Sequence, residues 1–492
     1  MRPLRLLDNL LNAITMYRLV LYCLGGLAAV ALLLAGFGAL SQPLLPLAGM
    51  LAVLLAVCYV TNRLLAIIFD AATNTESALI TALILFFVLL PPSRGLGDYA
   101  LVAGAGLIAM ASKYMVVWRR RHIVNPAALA AFVLSVTGLY SAGWWVATPV
   151  LLPATLIVGL LVVRKIRRFQ LVAVYTAAAV FTLVLVSLPH GLGLPDIVLS
   201  AFTSWPIIFF GTIMLTEPAT LPAQRSFQLV YAGFTGVLCS SLLHWGPLAT
   251  TPQAVLVLAN ALVFLIAPKF TQRLRLVRQV SLGARVTEFQ FAPERPITFA
   301  PGQYLEVTLP HAHPDARGNR RTFSIASAPG DAVLRLGVKF YEPSSSFKTA
   351  LRALQPGGHI FASNLGGSFT LPANPARPLL FVAGGIGITP FRSMAADLVA
   401  RGEHRDIVLL YLAAPAEQSY GDVFAAAQPL GLRLVAATDP YTPEALTQTV
   451  PDLASREVYL SGPQAMVDYY KDLLRGRHVP RRRIHTDYFS GY

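Results

Sequence analysis

Residues 321–327, Arg-Thr-Phe-Ser-Ile-Ala-Ser, place a cation, an aromatic ring and hydroxyl groups at the end of a predicted β-strand. A flavin dinucleotide needs an arginine for its pyrophosphate, an aromatic face for the isoalloxazine and hydroxyls for the polar edge of the ring. About 60 residues later, the apolar run 379–383 leads into Gly384-Gly385-Ile386-Gly387 and then Thr389-Pro390. This order is typical of a buried strand, a glycine turn and a helix start that binds phosphate. We therefore predict a flavin dinucleotide site and a second nucleotide site.

The rest of the chain divides by composition near residue 268. The 492 residues are 55% hydrophobic and 13% charged, with a mean hydropathy of +0.59, which is too apolar for an ordinary soluble protein. Residues 1–268 contain 14 of the 39 Lys and Arg and only six acids, against 25 basic and 18 acidic residues in the remainder. The basic residues lie between apolar runs, so the net charge of +15 does not indicate a nucleic-acid partner.

The three cysteines, Cys23, Cys58 and Cys239, all lie in apolar segments. Isolated cysteines in such segments are typically small buried hydrophobes. No disulfide framework is expected, and no zinc, iron–sulfur or other metal site is predicted.

Apolar runs up to residue 267 predict ten transmembrane helices, because about 20 apolar helical residues cross a hydrocarbon core of roughly 30 Å. The predicted spans lie near residues 20–40, 44–60, 77–91, 100–117, 124–140, 145–163, 170–188, 197–215, 227–243 and 253–267. With a cytoplasmic amino terminus, only Arg94 falls in an outside loop, and cytoplasmic loops collect Lys and Arg. We predict a multi-pass protein of the inner (cytoplasmic) membrane, in contact with lipid and with both termini in the cytoplasm.

Polar residues interrupt this half at three places. Thr75 and Glu76 open the third span, and Glu217 follows the eighth, so that each break belongs to the third span of a five-span half. Broken helices at matching positions indicate a site at the interface of inverted repeats, and carboxylates at membrane depth are usually functional. The alternative places both carboxylates in cytoplasmic loops. Asn125-Pro126 fits an ordinary helix start as well as a cofactor contact. The candidate membrane-site residues are Thr75, Glu76, Asn125 and Glu217.

The segments at 74–81, 121–128 and 215–222 resemble, in this order, those of the membrane subunits of Rnf and Na⁺-translocating NADH:quinone reductase complexes. The resemblance covers roughly residues 15–270. It implies ten helices in two inverted five-helix repeats and a flavin attached to threonine. The chain has no Ser-Gly-Ala-Thr flavinylation sequence, and Thr148 is the nearest threonine. A noncovalent FMN or riboflavin is therefore the flavin we consider for this half.

The carboxyl-terminal half changes its pattern twice. Short alternating runs first predict an antiparallel β-barrel, with strands at 284–291, 303–309, 321–327 and 333–340. Strand and helix then alternate, which predicts a parallel sheet covered by helices, with strands at 379–382, 406–412, 432–437 and 457–460 and helices from 390 and 464. The predicted domains are 1–268 (transmembrane), 269–276 (linker), 277–374 (FAD-binding barrel) and 375–492 (NAD(P)-binding α/β domain).

Residues 277–492 resemble the ferredoxin–NADP⁺ reductase-like family, through the segments at 321–327, 384–390 and 461–466. The resemblance implies that Arg321 holds the FAD pyrophosphate, Phe323 packs on the isoalloxazine and Ser324 bonds its N5/O4 edge. Ser324 and Ser461 are the implied catalytic residues. Further implied FAD contacts are Tyr304, Thr322, Val338, Lys339, Phe340, Ser346, Phe347, Lys348 and Thr349. The implied NAD(P) contacts are Gly384, Gly385, Gly387, Ile388, Thr389, Pro390, Gly462, Pro463 and Met466. Phe489 or Tyr492 would cover the flavin.

These residues predict a membrane-bound oxidoreductase that passes electrons from NADH or NADPH through FAD to a membrane acceptor. The acceptor is a quinone, a second flavin or a partner electron carrier. Two haems would need more histidines than His122, His190 and His244, and a fused ferredoxin would need cysteines that the carboxyl-terminal half lacks. Residues 413–417 contain no arginine for a 2′-phosphate, which favours NADH without deciding the coenzyme. The alternative function is a transporter or channel gated by the reductase module.

Overall fold

The computed structural model separates the chain into two compact units that divide between residues 269 and 270. It describes residues 7–8, 10–11, 14–69, 74–118, 121–218, 220–222, 224–239, 244–245, 248–266, 271–312, 314–315 and 318–487.

The amino-terminal unit is helical. Its helices are α1 (Met16–Gly36), α2 (Leu44–Ile68), α3 (Thr75–Val88), α4 (Leu96–Met115), α5 (Pro126–Val136), α6 (Leu152–Ile166), α7 (Phe169–Ser187), α8 (Leu194–Thr203), α9 (Ile207–Phe209), α10 (Arg225–Leu238) and α11 (Pro252–Ile266). Helix α9 continues as a π-helix, Phe210–Met214. Two-residue strands pair as β1 (Val117–Trp118) with β2 (Arg121–His122), and β3 (His244–Trp245) with β4 (Leu248–Ala249).

Three helical segments of the described chain are long and apolar enough to cross a membrane: Met16–Gly36, Leu44–Ile68 and Phe169–His190. Leu194–Thr203 and Ile207–Met214 would add a fourth span if their 57° bend lies within one crossing. Two of the shorter helices, α3 and α5, begin directly after polar caps. Asn74 caps α3 and Asn125 caps α5, and each accepts a backbone hydrogen bond from the first turn. The ten-span arrangement therefore stays a prediction, and the sixth helix begins at Leu152 rather than near 145.

The outer surface of this unit carries large apolar side chains. Ile67 is 78% exposed and Phe181 is 62% exposed, while Phe86, Phe87 and Tyr175 are fully buried between helices. An extended apolar exterior is unfavourable in water and suits contact with lipid. The surface agrees with a membrane location for the helical unit.

The carboxyl-terminal unit starts with a six-stranded antiparallel sheet in the order β8-β7-β10-β5-β6-β9. Its strands are β5 (Thr271–Ser281), β6 (Val286–Pro293), β7 (Tyr304–Thr308), β8 (Arg320–Ser324), β9 (Leu334–Lys339) and β10 (His359–Gly366), with helix α12 (Ser346–Ala353) before β10. The predicted antiparallel sheet is confirmed, and it forms a half-barrel where a barrel was predicted. Its core is apolar and includes Phe289, Phe291 and Leu305.

The predicted linker at 269–276 is wrong for residues 271–276, which belong to β5. Leu274 pairs with Ile360 of β10 and also with Pro293 of β6, so β5 is an interior strand. Leu274 and Leu276 are buried in the barrel core, while the intervening Arg275 is exposed. Arg273 and Arg275 alternate with these leucines, and their charges made the segment look like a linker in the sequence. Strand β10 was likewise not predicted, and the strand expected at 321–327 ends at Ser324.

The second half of the unit is a five-stranded parallel sheet in the order β13-β12-β11-β14-β15. Its strands are β11 (Leu379–Gly384), β12 (Ile407–Leu412), β13 (Leu432–Ala437), β14 (Glu457–Ser461) and β15 (Ile484–Thr486). Helices α13 (Thr389–Arg401), α14 (Gly421–Ala427), α15 (Pro443–Thr449) and α16 (Gln464–Gly476) connect them. Apolar cores cover both faces, as predicted for a parallel sheet. The strand order reverses between β11 and β14, where such sheets bind ligands.

Candidate functional site

Ser324 ends strand β8 and contacts a residue from the far end of the parallel sheet. Its hydroxyl donates a hydrogen bond of 2.7 Å to Asp487 Oδ2. The Asp487 N–H donates to the Leu460 carbonyl at 3.1 Å, which fixes the residue just after β15. Burial raises the pKa of the Asp487 carboxyl to about 7, against the opposing effect of the Ser324 hydrogen bond. The site therefore holds a carboxyl group that can gain or lose a proton near neutral pH.

Arg321 lies three residues earlier on β8 and is buried. Its Nη1 donates to the carbonyls of Gly318 and Arg320, at 3.1 and 2.5 Å. The guanidinium carbon lies 5.0 Å from the centroid of the Phe347 ring, within the range of a cation–π interaction. The structure thus brings Arg321 and the predicted segment 346–349 together.

Asp315 lies between Arg321 and the start of α12. Ser345 caps this helix by accepting a hydrogen bond from the Lys348 N–H at 3.3 Å. The Ser346 N–H donates to Asp315 Oδ2 at 3.0 Å, and Arg321 Nη2 lies 3.8 Å from Asp315 Oδ1. A backbone N–H at a helix start and a guanidinium are the donors that bind phosphates. Because both donors lie close to a carboxylate here, their chemistry suits an anion such as a pyrophosphate.

Aromatic side chains surround this position. The Phe323 and Phe347 ring centroids are 6.0 Å apart, and Phe347 is fully buried. Tyr304 pairs with Ser324 across β7 and β8, and its ring lies close to Gly367. Thr322 pairs with Glu306 on the same two strands.

Two predicted contacts to the adenosine side are corrected by the strand geometry. Val338 and Phe340 point into the barrel core and are almost completely buried. Side chains alternate between the faces of a strand, so only Lys339 between them faces outward. Lys339 Nζ forms an ion pair with Glu417 at 2.6 Å, and Lys348 Nζ donates to the Lys339 carbonyl at 2.6 Å. Lys339 therefore connects the barrel to the loop after β12.

The two predicted nucleotide segments of the parallel sheet lie side by side. Ala383 pairs with Ser461, so the turns after β11 and β14 meet at their carboxyl ends. A Cβ added to Gly387 would lie 2.4 Å from the Ser461 carbonyl oxygen. Gly462 has φ +150° and its added Cβ would lie 2.9 Å from Gly384 Cα. Only glycine allows these backbones to approach so closely.

Neighbouring residues of the two segments have mixed roles. Gly385 has φ +52°, and Met466 and Pro463 pack against Gly384. Ile388, Thr389 and Pro390 are buried, as is Ser461. The Thr389 hydroxyl donates to the Ile386 carbonyl at 3.1 Å, which closes the turn before α13. Ile388, Thr389 and Pro390 therefore shape the turn, and their side chains are not exposed to a nucleotide.

Helix α13 is attached to the barrel by contacts that the sequence did not indicate. Arg392 Nη1 donates to the Ala326 carbonyl at 2.5 Å, and the Ser393 hydroxyl donates to the Ser327 carbonyl at 2.5 Å. Both acceptors belong to the 321–327 segment. The segment that carries Arg321 and Ser324 therefore also positions the glycine turn.

In the helical unit, the structure brings Asn125 and Glu217 together. Asn125 Nδ2 donates to Glu217 Oε2 at 2.7 Å, and the Asn125 N–H donates to Asn260 Oδ1 at 3.0 Å. Lys113, which interacts electrostatically with Glu217, donates to both the carbonyl and the hydroxyl of Ser77, at 2.7 and 2.9 Å. Sequence analysis missed Lys113 and Asn260, although both interrupt apolar helices.

The other predicted membrane-site residues lie at the start of α3. Glu76 forms an ion pair with Arg18 at 2.8 Å, and Thr75 is the first residue of the helix. Phe489 and Tyr492 lie outside the described residues. Within the described part of the chain, no group of three or more His, Cys, Asp or Glu side chains could hold a metal ion.

The curated relatives named below each match less than half of the chain. No family model matches. The chain is 27% identical to the reductase component of propane 2-monooxygenase from Rhodococcus jostii over 242 residues, 44% of this chain and 63% of that protein. It is 33% identical to ferredoxin–NADP reductase B of Sorangium cellulosum over 146 residues, 30% of this chain and 58% of that protein. An Amycolatopsis cytochrome P450 reductase crystal structure matches with 25% identity and a TM-score of 0.41, covering 45% of this chain and 70% of its own.

Over about 45% of its length, the chain is thus similar to ferredoxin–NADP reductase-like FAD/NAD modules. The relatives are oxidoreductases of this class, which confirms the predicted class of enzyme. The chain spans less than two thirds of the length of the curated relatives named above. The activity of the whole chain is therefore the subject of a proposal.

Proposed function

We propose that the chain is a membrane-bound flavoprotein oxidoreductase that passes electrons from NAD(P)H through FAD to an acceptor in the membrane. The observation that carries this proposal is the meeting of two sites in one compact unit. The β8 segment with Arg321 and Ser324 contacts Asp487 and α13, and α13 follows the glycine turn of the parallel sheet. A reductase role also agrees with the Rhodococcus relative, which is the reductase component of propane 2-monooxygenase.

Different residues of the chain would bind different parts of FAD. Arg321 and the Ser346 N–H would hold the pyrophosphate, in the position where both now lie close to the Asp315 carboxylate. Phe323 would pack against the isoalloxazine, and Ser324 would bond its polar edge. Bound FAD would supply the chemistry that accepts two electrons from a reduced nicotinamide.

Ser324 and Asp487 would bind and release the proton that accompanies these electrons. The carboxyl with a pKa of about 7 can hold a proton or release it at the pH of the cytoplasm. The glycines at 384, 387 and 462 would let a nicotinamide nucleotide approach the backbone closely. Ser461, beside Gly387, would fix the position of that nucleotide through its backbone.

The membrane acceptor is proposed from the helical unit. Three long apolar helices and an apolar exterior support residence in lipid. The hydrogen-bonded pair Asn125 and Glu217 forms a polar site inside the helical unit. Its ligand would be a quinone or a noncovalent FMN or riboflavin, or the pair would lie on the route to a partner electron carrier. Reduction of a quinone to a quinol takes two electrons and two protons. The hydride of NAD(P)H supplies both electrons and one proton, and solvent supplies the second proton.

The test uses purified full-length protein in detergent and in proteoliposomes. We expect a flavin absorbance spectrum, bleaching by NADH or NADPH, release of the FAD by acid precipitation, and reduction of a quinone in liposomes. Protein that stays colourless after FAD addition, or that neither coenzyme bleaches, would contradict the proposal. Solute flux without net electron transfer would instead support a redox-gated transporter.

A further inference from the structure

The carboxyl edge of the parallel sheet limits where a nicotinamide nucleotide can extend. Gly384 pairs with Leu412, and Leu412 pairs with Ala437, so strands β11, β12 and β13 end at one level. The glycine turns at β11 and β14 approach each other closely at one end of this row. On the far side of β14, strand β15 leads into Asp487, which contacts the barrel. The adenosine half of the nucleotide would therefore extend over β12 and β13.

The loops after β12 and β13 carry carboxylates and no basic residue. Neither 413–418 nor 438–442 contains a Lys or Arg. Glu417, in the first loop, is paired with Lys339 of the barrel at 2.6 Å, so its charge is compensated. Asp439, two residues beyond β13, is exposed and accepts a hydrogen bond from the Thr438 hydroxyl at 3.1 Å. Asp439 is therefore the carboxylate of the loop after β13.

From this arrangement we propose that NADH is the reductant and that Asp439 selects it against NADPH. The inference rests on the proposed function and names its substrate. A carboxylate can accept a hydrogen bond from the ribose 2′-hydroxyl of NADH. The 2′-phosphate of NADPH would bring a second negative charge to the same place, and like charges across an interface are strongly unfavourable.

Arg433 does not offset this charge at the strand end. It lies in the first half of β13, and its Nη2 donates to the Thr449 carbonyl at 2.7 Å. Thr449 is the last residue of α15, the helix that leads back toward the start of β14. Arg433 is thus held by another part of the chain and does not serve as a 2′-phosphate ligand.

The experiment compares wild type, Asp439→Asn and Asp439→Arg as full-length protein. Flavin content is measured first, and then kcat/KM for NADH and NADPH with ferricyanide, a soluble acceptor that does not depend on the helical unit. Titration calorimetry with NAD⁺ and NADP⁺ gives a second readout that does not require turnover. The matched control is Glu294→Gln, which removes an exposed carboxylate of the barrel.

We expect wild type to prefer NADH by roughly tenfold or more, Asp439→Asn to reduce this ratio, and Asp439→Arg to reverse it. The NAD⁺ and NADP⁺ affinities should follow the same order, and Glu294→Gln should leave both ratios unchanged. Equal or better use of NADPH by the wild type, or an unchanged ratio in Asp439→Asn, overturns the inference while the proposed function stands. A chain without flavin instead contradicts the proposed function, and the calorimetric ratio still tests Asp439.

Discussion

The Ser324 hydroxyl is hydrogen bonded to the Asp487 carboxyl at 2.7 Å, although 163 residues separate them in the sequence. The contact joins the end of a barrel strand to the end of the last strand of the parallel sheet. It places an acid with a pKa of about 7 beside the serine expected at the flavin edge. Two parts of the chain with different folds therefore contribute to one candidate site.

The first prediction concerns pH and Asp487. Its folded-state pKa of about 7 exceeds the ordinary value of 3.8, so the folded protein keeps a proton that the unfolded chain has lost. Stability should therefore fall as pH rises from about 4 to 7, by at most about 1.4 kcal/mol per pH unit from this one group. Asp487→Asn should remove this decline. Thermal unfolding of both proteins at pH 5 and pH 7 measures it, and identical pH dependence in the two would contradict the assignment.

The second prediction concerns Arg321 and FAD. Arg321→Ala should raise the dissociation constant for FAD about tenfold to a hundredfold, because a charged hydrogen bond contributes about 1.5–3 kcal/mol. The control is Arg320→Ala, its neighbour on β8, whose side chain is 49% exposed and pairs with Glu306. Flavin content after gel filtration and fluorescence titration of the apoprotein measure the effect. Equal losses in both variants would argue against a specific contact.

The third prediction concerns the close contact between the glycine turns after β11 and β14. Gly387→Ala should lower the melting temperature and weaken NAD⁺ binding, because the new Cβ would lie 2.4 Å from the Ser461 carbonyl oxygen. Gly421→Ala is the comparison, since a Cβ there meets no atom within 4 Å. Calorimetry and thermal unfolding provide both measurements. Wild-type behaviour of Gly387→Ala would show that the turns are not in close contact.

The fourth prediction separates the two halves of the electron path. Asn125→Ala removes the Asn125–Glu217 hydrogen bond and Glu217→Gln removes the carboxylate, and each should slow quinone reduction at least about tenfold, with little effect on ferricyanide reduction by the reductase module. Asp196→Asn, which changes an exposed acid of α8, should affect neither. Steady-state rates with the two acceptors test this. A parallel loss of both activities would indicate a general folding defect instead.

The fifth prediction concerns topology. Ser93→Cys should react with a membrane-impermeant maleimide added to intact cells, because it lies in the predicted outside loop between the spans at 77–91 and 100–117. Ser226→Cys, at the start of α10, should react only after the cells are opened. Both variants need Cys23, Cys58 and Cys239 replaced by alanine. Labelling of the two positions in the opposite order would reverse the predicted orientation.

Sequence patterns predicted the residues that act through local structure. The strand with Arg321 and Ser324 and the glycine turn at 384–387 carry their signals within a few residues. Asp487 was missed as a site residue because its role depends on a tertiary contact with Ser324. Val338 and Phe340 were assigned to the nucleotide because a motif was read without the alternation of side chains across β9. Asn125 and Glu217 were both found, but their pairing across 92 residues was not predictable.

The interior position of β5 bears on how the reductase module can be produced alone. Residues 271–276 hydrogen bond to β10, and from Leu274 onward β5 also pairs with β6. An excised fragment that starts at 277 would lose half of a strand in the middle of the sheet and expose the edge of β10, which invites aggregation. A soluble fragment should therefore start before Thr271, directly after the last helix of the amino-terminal unit.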